Sequence, residues 1–113
     1  MEHFITKQSD ITEEFLMTLL CEVGQGKAFF MQAMLEARKG RLTESQQLLA
    51  QGDMSLSNVH KTQTSLIGFD EGEGKVQMTL ILTHIQDHIM TTMLCRDLAV
   101  EIIELHKQIR EES

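Results

Sequence analysis

A narrow column of polar residues lies within one of the most apolar segments of the sequence, Leu80 to Met93. At about 100° per residue along a helix, His84, Asp87, His88 and Thr91 fall on one side. Apolar residues occupy most of the remaining circumference: Ile81, Leu82, Ile85, Ile89, Met90 and Met93. The column is therefore predicted to be set into a buried surface. Buried ionisable groups are costly unless they are paired, hydrogen-bonded or metal-bound. Three titratable groups within two turns therefore favour a functional site over a satisfied core histidine.

Three chemistries are open to this column. A histidine and a carboxylate one turn apart can share a metal ion, although the other histidines offer no recognisable ligand spacing: His3, His60 and His106. His84 and Asp87 can act as a general acid and base, which would also require a substrate pocket. A neutral imidazole is also a good nucleophile and can carry a phosphoryl group, with Gln86, His88 or Thr91 as supporting donors. Periodicity alone does not choose among the three.

Composition indicates one all-α domain. The 113 residues include no proline and five phenylalanines as the only aromatic residues, and many of the others favour helices. This length suits one compact domain with a modest core. The formal net charge of −7 argues against a general nucleic-acid binder, because such proteins neutralise phosphates with a basic surface.

The cysteines and the amino terminus indicate a soluble cytoplasmic protein. Cys21 and Cys95 are far apart and form no CxxC pair, so we expect them to be buried free thiols in a reducing compartment. The first residues lack the pattern of a secretion signal. Because no segment approaches the roughly 18 uninterrupted apolar residues of a membrane span, we expect no membrane insertion.

Apolar periodicity and stop signals predict three helices, over about 10–39, 43–67 and 75–110. Asp10 or Thr12 can cap the first helix, and Gly40 is its stop signal. Gly24 and Gly26 interrupt the first, which indicates a kink, a close approach to a neighbouring helix or a tolerated weak spot. Thr43 and Gln46 have the spacing of a capping box at the start of the second. The segment Gly68–Gly74 is predicted to be the loop before the third.

Three helices with short connections predict an antiparallel up-down-up bundle. The first half of the third helix is apolar around nearly its whole circumference, and two neighbouring helices cannot cover all of it. The sequence therefore predicts an additional partner for this helix, most simply another copy of the chain.

The segment Thr83–Leu94, with its His-x-Gln-Asp-His signature, closely resembles the lactose/cellobiose-type enzyme IIA of the bacterial sugar phosphotransferase system. That family includes components specific for N,N'-diacetylchitobiose. Other segments share the resemblance, which covers nearly the whole chain: Gly24-Gln25 with Lys27, Gln63-Thr64, Glu71–Lys75, Asp97-Leu98 and Glu101–His106.

The resemblance implies a cytoplasmic homotrimer of three-helix subunits. Each His84 would accept phosphate from the phosphocarrier HPr and pass it to the cysteine of a cognate enzyme IIB, with His88 and Gln86 in supporting roles. Asp87 would meet its two symmetry copies around one divalent cation on the three-fold axis. An all-oxygen site of this kind favours Mg²⁺ over zinc.

Two other function classes compete with this interpretation. One is an independent metal-dependent enzyme that uses His84, Asp87 and His88, and the other is a helical adaptor without chemistry at His84. Transfer of radiolabel from phosphoenolpyruvate through the general phosphotransferase proteins would separate the carrier from both.

Overall fold

Three long helices form the computed structural model, which describes residues 5–72 and 74–112. A short 3₁₀ turn, Gln8–Asp10, precedes α1 (Glu13–Arg38), α2 (Leu42–Glu71) and α3 (Leu80–Glu112). Successive helices reverse direction, and the molecule measures 58 × 20 × 20 Å. The predicted all-α, three-helix architecture is confirmed. No helix in the described ranges is long and apolar enough to cross a membrane.

The start and the end of α1 follow the sequence signals. The Thr12 hydroxyl oxygen accepts the Phe15 N–H at 3.0 Å, which caps the first turn. At the other end, Gly40 has a φ of 85° and donates its N–H to the Ala37 carbonyl at 3.0 Å. Glycine adopts this left-handed conformation without steric cost, so α1 ends where the sequence predicts.

The second helix begins earlier than predicted, at Leu42. Its N-cap is Arg41, which makes no side-chain capping hydrogen bond, so the predicted capping box at Thr43 and Gln46 is wrong. The Arg41 N–H donates to the Glu36 carbonyl at 2.9 Å. This bond closes the turn after α1 and brings the chain into α2 before Thr43 is reached.

The loop between α2 and α3 is also displaced from its predicted position. The second helix continues through Gly68 to Glu71, because Phe69 packs against the core and offsets the modest helix penalty of the glycine. The third helix begins at Leu80 rather than at Lys75. Thr79 caps it, since its hydroxyl oxygen accepts the Leu82 N–H at 3.2 Å.

Glycines allow α1 and α2 to approach closely. The first helix is continuous across Gly24 and Gly26. A Cβ atom on Gly26 would lie 3.5 Å from the Ser55 Cβ, and one on Gly52 would lie 2.5 Å from the Phe30 ring. Of the three interpretations of the α1 glycines, close approach therefore describes Gly26, whereas a Cβ on Gly24 would meet nothing within 4 Å.

The core fixes which side of α3 faces inward. The larger cluster of buried side chains joins all three helices: Phe15, Leu16, Leu19, Val23, Val59, Leu66, Leu82, Ile85 and Ile89, together with Ile5. A smaller cluster at the other end contains Ala33, Ala37 and Ile103. Because α3 turns Leu82, Ile85 and Ile89 toward the core, the polar column lies on its opposite, outer side.

Candidate functional site

The polar column occupies the first three turns of α3 on the surface of the chain. His84, Asp87 and Thr91 are exposed, and His88 is half-buried. The prediction that the column is set into a buried surface is therefore wrong for a single chain, because only the inner side of α3 is covered by α1 and α2. An exposed imidazole at position 84 is accessible to another macromolecule.

His84 and His88 are brought together by the helix. Their rings are stacked, with centroids 6.1 Å apart and an interplanar angle of 14°. One turn further on, the Thr91 hydroxyl donates to the His88 carbonyl at 3.1 Å. The sequence prediction that these side chains share one face is confirmed.

The environment of His88 favours its neutral form. Partial burial lowers the pKa of His88 first, and the positive charges of Lys27 and His84 lower it further, while Asp87 acts in the opposite direction. When His88 is neutral, it places no positive charge of its own beside the His84 ring. It also retains one ring nitrogen that can accept a hydrogen bond.

Gln86 lies on a different side of α3 from His84. Its carboxamide oxygen accepts a hydrogen bond at 2.8 Å from the Gln63 amide of α2. Gln86 also lines a cavity of about 250 Å³ between the end of α2 and the start of α3. The structure thus joins Gln86 to α2 and does not direct its oxygen to the His84 ring.

Asp87 alone does not make a metal site. The structure places no group of three His, Cys, Asp or Glu side chains suitable for a metal ion within residues 5–72 and 74–112. A hard divalent cation takes six or more oxygen ligands, of which one carboxylate supplies at most two. A cation at Asp87 would therefore take its remaining ligands from water or from groups outside this chain.

Lys27 of α1 is a residue of this region to which sequence reasoning assigned no role. Its charge lowers the pKa of His88 and opposes the rise that burial causes in the pKa of the Cys95 thiol. The Cys95 sulfur lies 3.8 Å from the Met31 sulfur on α1. The sequence signal was the occurrence of Lys27 within a segment that resembles the family, but its position beside α3 depends on helix packing.

Both cysteines are more accessible than predicted. Cys21 is exposed and Cys95 is half-buried, so the expectation of two buried thiols is wrong.

An apolar stripe continues the polar column along the outer side of α3. Four of its side chains are more than half exposed: Leu94 (58%), Leu98 (51%), Leu105 (55%) and Ile109 (54%). From His84 through Asp87, Thr91 and Leu94 to Leu98, the spacing alternates between three and four residues. This is the spacing of a coiled-coil seam.

Comparison with known proteins identifies the family. The sequence model of the family described as "PTS system, Lactose/Cellobiose specific IIA subunit" matches residues 14–107, where PTS denotes the phosphotransferase system. The chain belongs to this family. This IIA subunit is thus a phosphoryl-carrier component of a sugar phosphotransferase system.

Individual relatives agree with this assignment. The N,N'-diacetylchitobiose-specific EIIA component of Escherichia coli K12 is 38% identical over 103 residues, which are 91% of this chain and 89% of the relative. A chitobiose IIA subunit of Escherichia coli, solved in complex with HPr, aligns with a TM-score of 0.75 at 37% identity. That alignment covers 87% of this chain and 95% of the solved one.

A second solved structure supports the fold. The cellobiose-specific enzyme IIA of Bacillus anthracis aligns with a TM-score of 0.84 over 96% of this chain and 97% of its own. Its sequence identity is 24%, so this likeness concerns the three-helix architecture alone.

Proposed function

We propose that this IIA subunit accepts a phosphoryl group from HPr on His84 and passes it to the cysteine of a cognate enzyme IIB. The sugar taken up would be of the lactose, cellobiose or chitobiose type. The observation that carries the proposal is an exposed His84 imidazole within the segment that matches a phosphoryl-carrier family. The solved complex of a chitobiose IIA relative with HPr supports the identity of the donor.

The exposure of His84 suits transfer between two proteins. The donor histidine brings its phosphoryl group to the surface of α3, where an unprotonated His84 nitrogen attacks phosphorus with its lone pair. The P–N bond to the donor breaks, and its electron pair returns to the donor imidazole. The His88 ring stacks on the His84 ring. Because His88 is neutral, it places no positive charge beside the lone pair with which His84 attacks phosphorus.

The exposed seam of α3 supports a homotrimer. Leu94, Leu98 and Leu105 lie four and seven residues apart, with Glu101 at the seam position between the last two. Leucines at such heptad positions pack as knobs into holes when helices associate around a common axis. Association would cover Leu94, Leu98 and Leu105. It would also cover the neighbouring groove between α1 and α3, which is lined in part by Met31 and Ile102. His84 lies near the start of α3, at one end of this seam, where partner proteins can still reach it.

The same seam would bring three Asp87 carboxylates toward the axis. Clustered carboxylates repel in a low-dielectric interface unless a cation or shared protons neutralise them. One divalent cation, Mg²⁺ by its preference for oxygen ligands, would supply that counter-charge and join the three subunits.

Radiolabelled phosphoenolpyruvate tests the proposal directly. With enzyme I and HPr present, the wild-type subunit should acquire acid-labile label, whereas His84→Ala should acquire none and keep its helicity, because the lost side chain is exposed. The matched control is His60→Ala on α2, which removes another exposed histidine and should leave labelling unchanged. Full labelling of His84→Ala would refute the assignment of the nucleophile.

The variant His88→Ala tests whether His88 supports the transfer or itself accepts the phosphoryl group. Because His88 stacks on His84 without being the nucleophile, its loss should slow transfer and leave His84 labelled at the end of the reaction. Mass spectrometry of the phosphorylated peptide would locate the label. Complete loss of label in His88→Ala would indicate that His88 is the nucleophile.

A further inference from the structure

Phosphorylation of His84 creates a charge problem that α3 itself does not solve. A phosphoryl group adds between one and two negative charges at neutral pH, and it does so one turn from Asp87 in a chain of net charge −7. The segment Leu80–Cys95 contains no lysine or arginine. A lysine or arginine that stabilises the phosphorylated state must therefore come from outside this segment.

The register between α1 and α3 brings one lysine to this face. Met31 contacts Cys95, and toward the far ends of both helices the Arg110 guanidinium donates to the Arg38 carbonyl at 3.1 Å. Both pairs advance along the two helices in the same sense, so α1 and α3 run parallel. Lys27, one turn before Met31, lies beside the turn of α3 that precedes Cys95.

The direction of helical side chains carries the Lys27 ammonium toward His84. The Cα–Cβ bonds of a helix tilt toward its N-terminus, so a long side chain covers the turn before its own Cα. Because α1 and α3 run parallel, the turn of α1 before Lys27 lies beside a part of α3 that is closer to His84 than to Cys95. The preceding residue on the same face of α1 is Gly24, where even a Cβ atom would meet nothing within 4 Å. No side chain at this position therefore blocks the Lys27 side chain from reaching toward His84.

The electrostatics of the neighbouring side chains agree with this placement. Lys27 acts on both the His88 imidazole and the Cys95 thiol, and in each case its charge favours the less protonated form. Its side chain is exposed, and the residues described by the structure give it no salt bridge that would hold it elsewhere. The charge therefore lies near His88, which stacks on His84, and it is available to an anion.

We propose that Lys27 contacts the phosphoryl oxygens on His84 and stabilises the charge that they carry during transfer. This inference rests on the proposed phosphorylation of His84. The His84 nitrogen forms the new P–N bond, the donor nitrogen recovers the electron pair of the broken bond, and the Lys27 ammonium keeps its protons. Charge on the equatorial oxygens is the quantity that an enzyme stabilises in phosphoryl transfer, so Lys27 accelerates the step.

Steady-state labelling over a range of HPr concentrations tests the role of Lys27. Lys27→Met keeps the length of the side chain and removes its charge, and it should lower kcat by about 10- to 100-fold with little change in KM for HPr. Lys27→Arg keeps the charge and should restore most of the rate. The matched control is Lys107→Met, which removes an exposed lysine from the far end of α3.

The phosphorus signal of phosphorylated His84 gives a second readout that a purely structural role would not move. Loss of a nearby cation disfavours the dianion, so ³¹P NMR should show the phosphoryl group of Lys27→Met ionising at higher pH than in the wild type and in Lys27→Arg. Circular dichroism verifies that the variants fold alike.

The outcomes distinguish failure of Lys27 from failure of the carrier itself. Wild-type protein without label on His84 would overturn both proposals. Label on His84 with equal kcat and equal phosphoryl ionisation in wild type and Lys27→Met would overturn the role of Lys27 alone. A raised KM with unchanged kcat would also overturn it, because Lys27 would then be a docking contact for HPr.

Discussion

At the scale of single residues, the site depends on which groups stay neutral and which remain charged. His88 is partly buried beside His84 and near Lys27, and all three features favour its neutral form. The charge of Asp87 acts in the opposite direction, and its side chain is exposed. The His84 imidazole thus has an aromatic neighbour that favours its neutral form and an acidic residue one turn away.

The two cysteines give a residue-scale prediction. Burial raises the pKa of the Cys95 thiol above its ordinary value. At pH 8 a smaller fraction of Cys95 than of an ordinary cysteine is therefore thiolate, the form that reacts with alkylating agents. Cys21 is exposed. Iodoacetamide should therefore modify Cys21 first, and Cys95 should gain reactivity as the pH is raised further.

Mass spectrometry of partially alkylated protein measures the order of modification. The single variants Cys21→Ser and Cys95→Ser assign each rate to one thiol. Equal rates at both positions at pH 8 would contradict the described environment of Cys95.

At the scale of helices, packing decided what sequence patterns could not. The Thr12 cap and the Gly40 stop are local signals, and both ends of α1 follow them. The end of α2 depends on Phe69, which packs against the core and carries the helix past Gly68. A pattern that counts glycines cannot include that tertiary contact, which is why the loop was predicted too early.

The candidate site shows the same division. Helical periodicity placed His84, Asp87 and His88 on one face without tertiary information, and the stacked rings confirm it for the two histidines. The position of Lys27 requires the register of α1 against α3, which no single-helix pattern contains. The expected burial of the column is not observed in the single chain, where His84, Asp87 and Thr91 are exposed.

Two glycines give a matched prediction at this scale. In Gly52→Ala the new methyl group would lie 2.5 Å from the Phe30 ring, which is fully buried and cannot move aside. We expect a loss of about 1–3 kcal/mol in the free energy of unfolding. Gly24→Ala meets nothing within 4 Å and improves helix propensity, so it should gain about 0.5–1 kcal/mol.

Urea denaturation of both variants is compared with that of the wild type at one protein concentration, because the proposed subunit association would make stability depend on concentration. A Gly52→Ala protein as stable as the wild type would show that α1 and α2 do not approach as closely as described.

At the scale of the whole molecule, the outer side of α3 links assembly to chemistry. The inner side completes the core, while the outer side carries the polar column and then the exposed leucines in one seam. If the subunits associate as proposed, the leucines of the seam would supply most of the association energy, away from His84. The polar end of the seam would then remain open to the proposed partners, HPr and enzyme IIB.

Asp87 provides the prediction that tests this assembly. The wild type should sediment at three times the 12.9 kDa of one chain at micromolar concentration. Asp87→Lys should dissociate the trimer, because it places three like charges at the axis. Asp87→Leu should instead preserve or strengthen it, since apolar side chains remove both the repulsion and the need for a cation.

A chelator then separates the metal from the protein contacts. If Mg²⁺ neutralises the Asp87 carboxylates, EDTA should lower the Tm of the wild type, because a ligand that binds only the folded assembly stabilises it. The same treatment should leave the Tm of Asp87→Leu unchanged, since that variant has no carboxylate for the cation to neutralise. An equal EDTA effect on both proteins, or no effect on either, would show that Asp87 does not hold a metal and that shared protons or solvent neutralise the carboxylates instead.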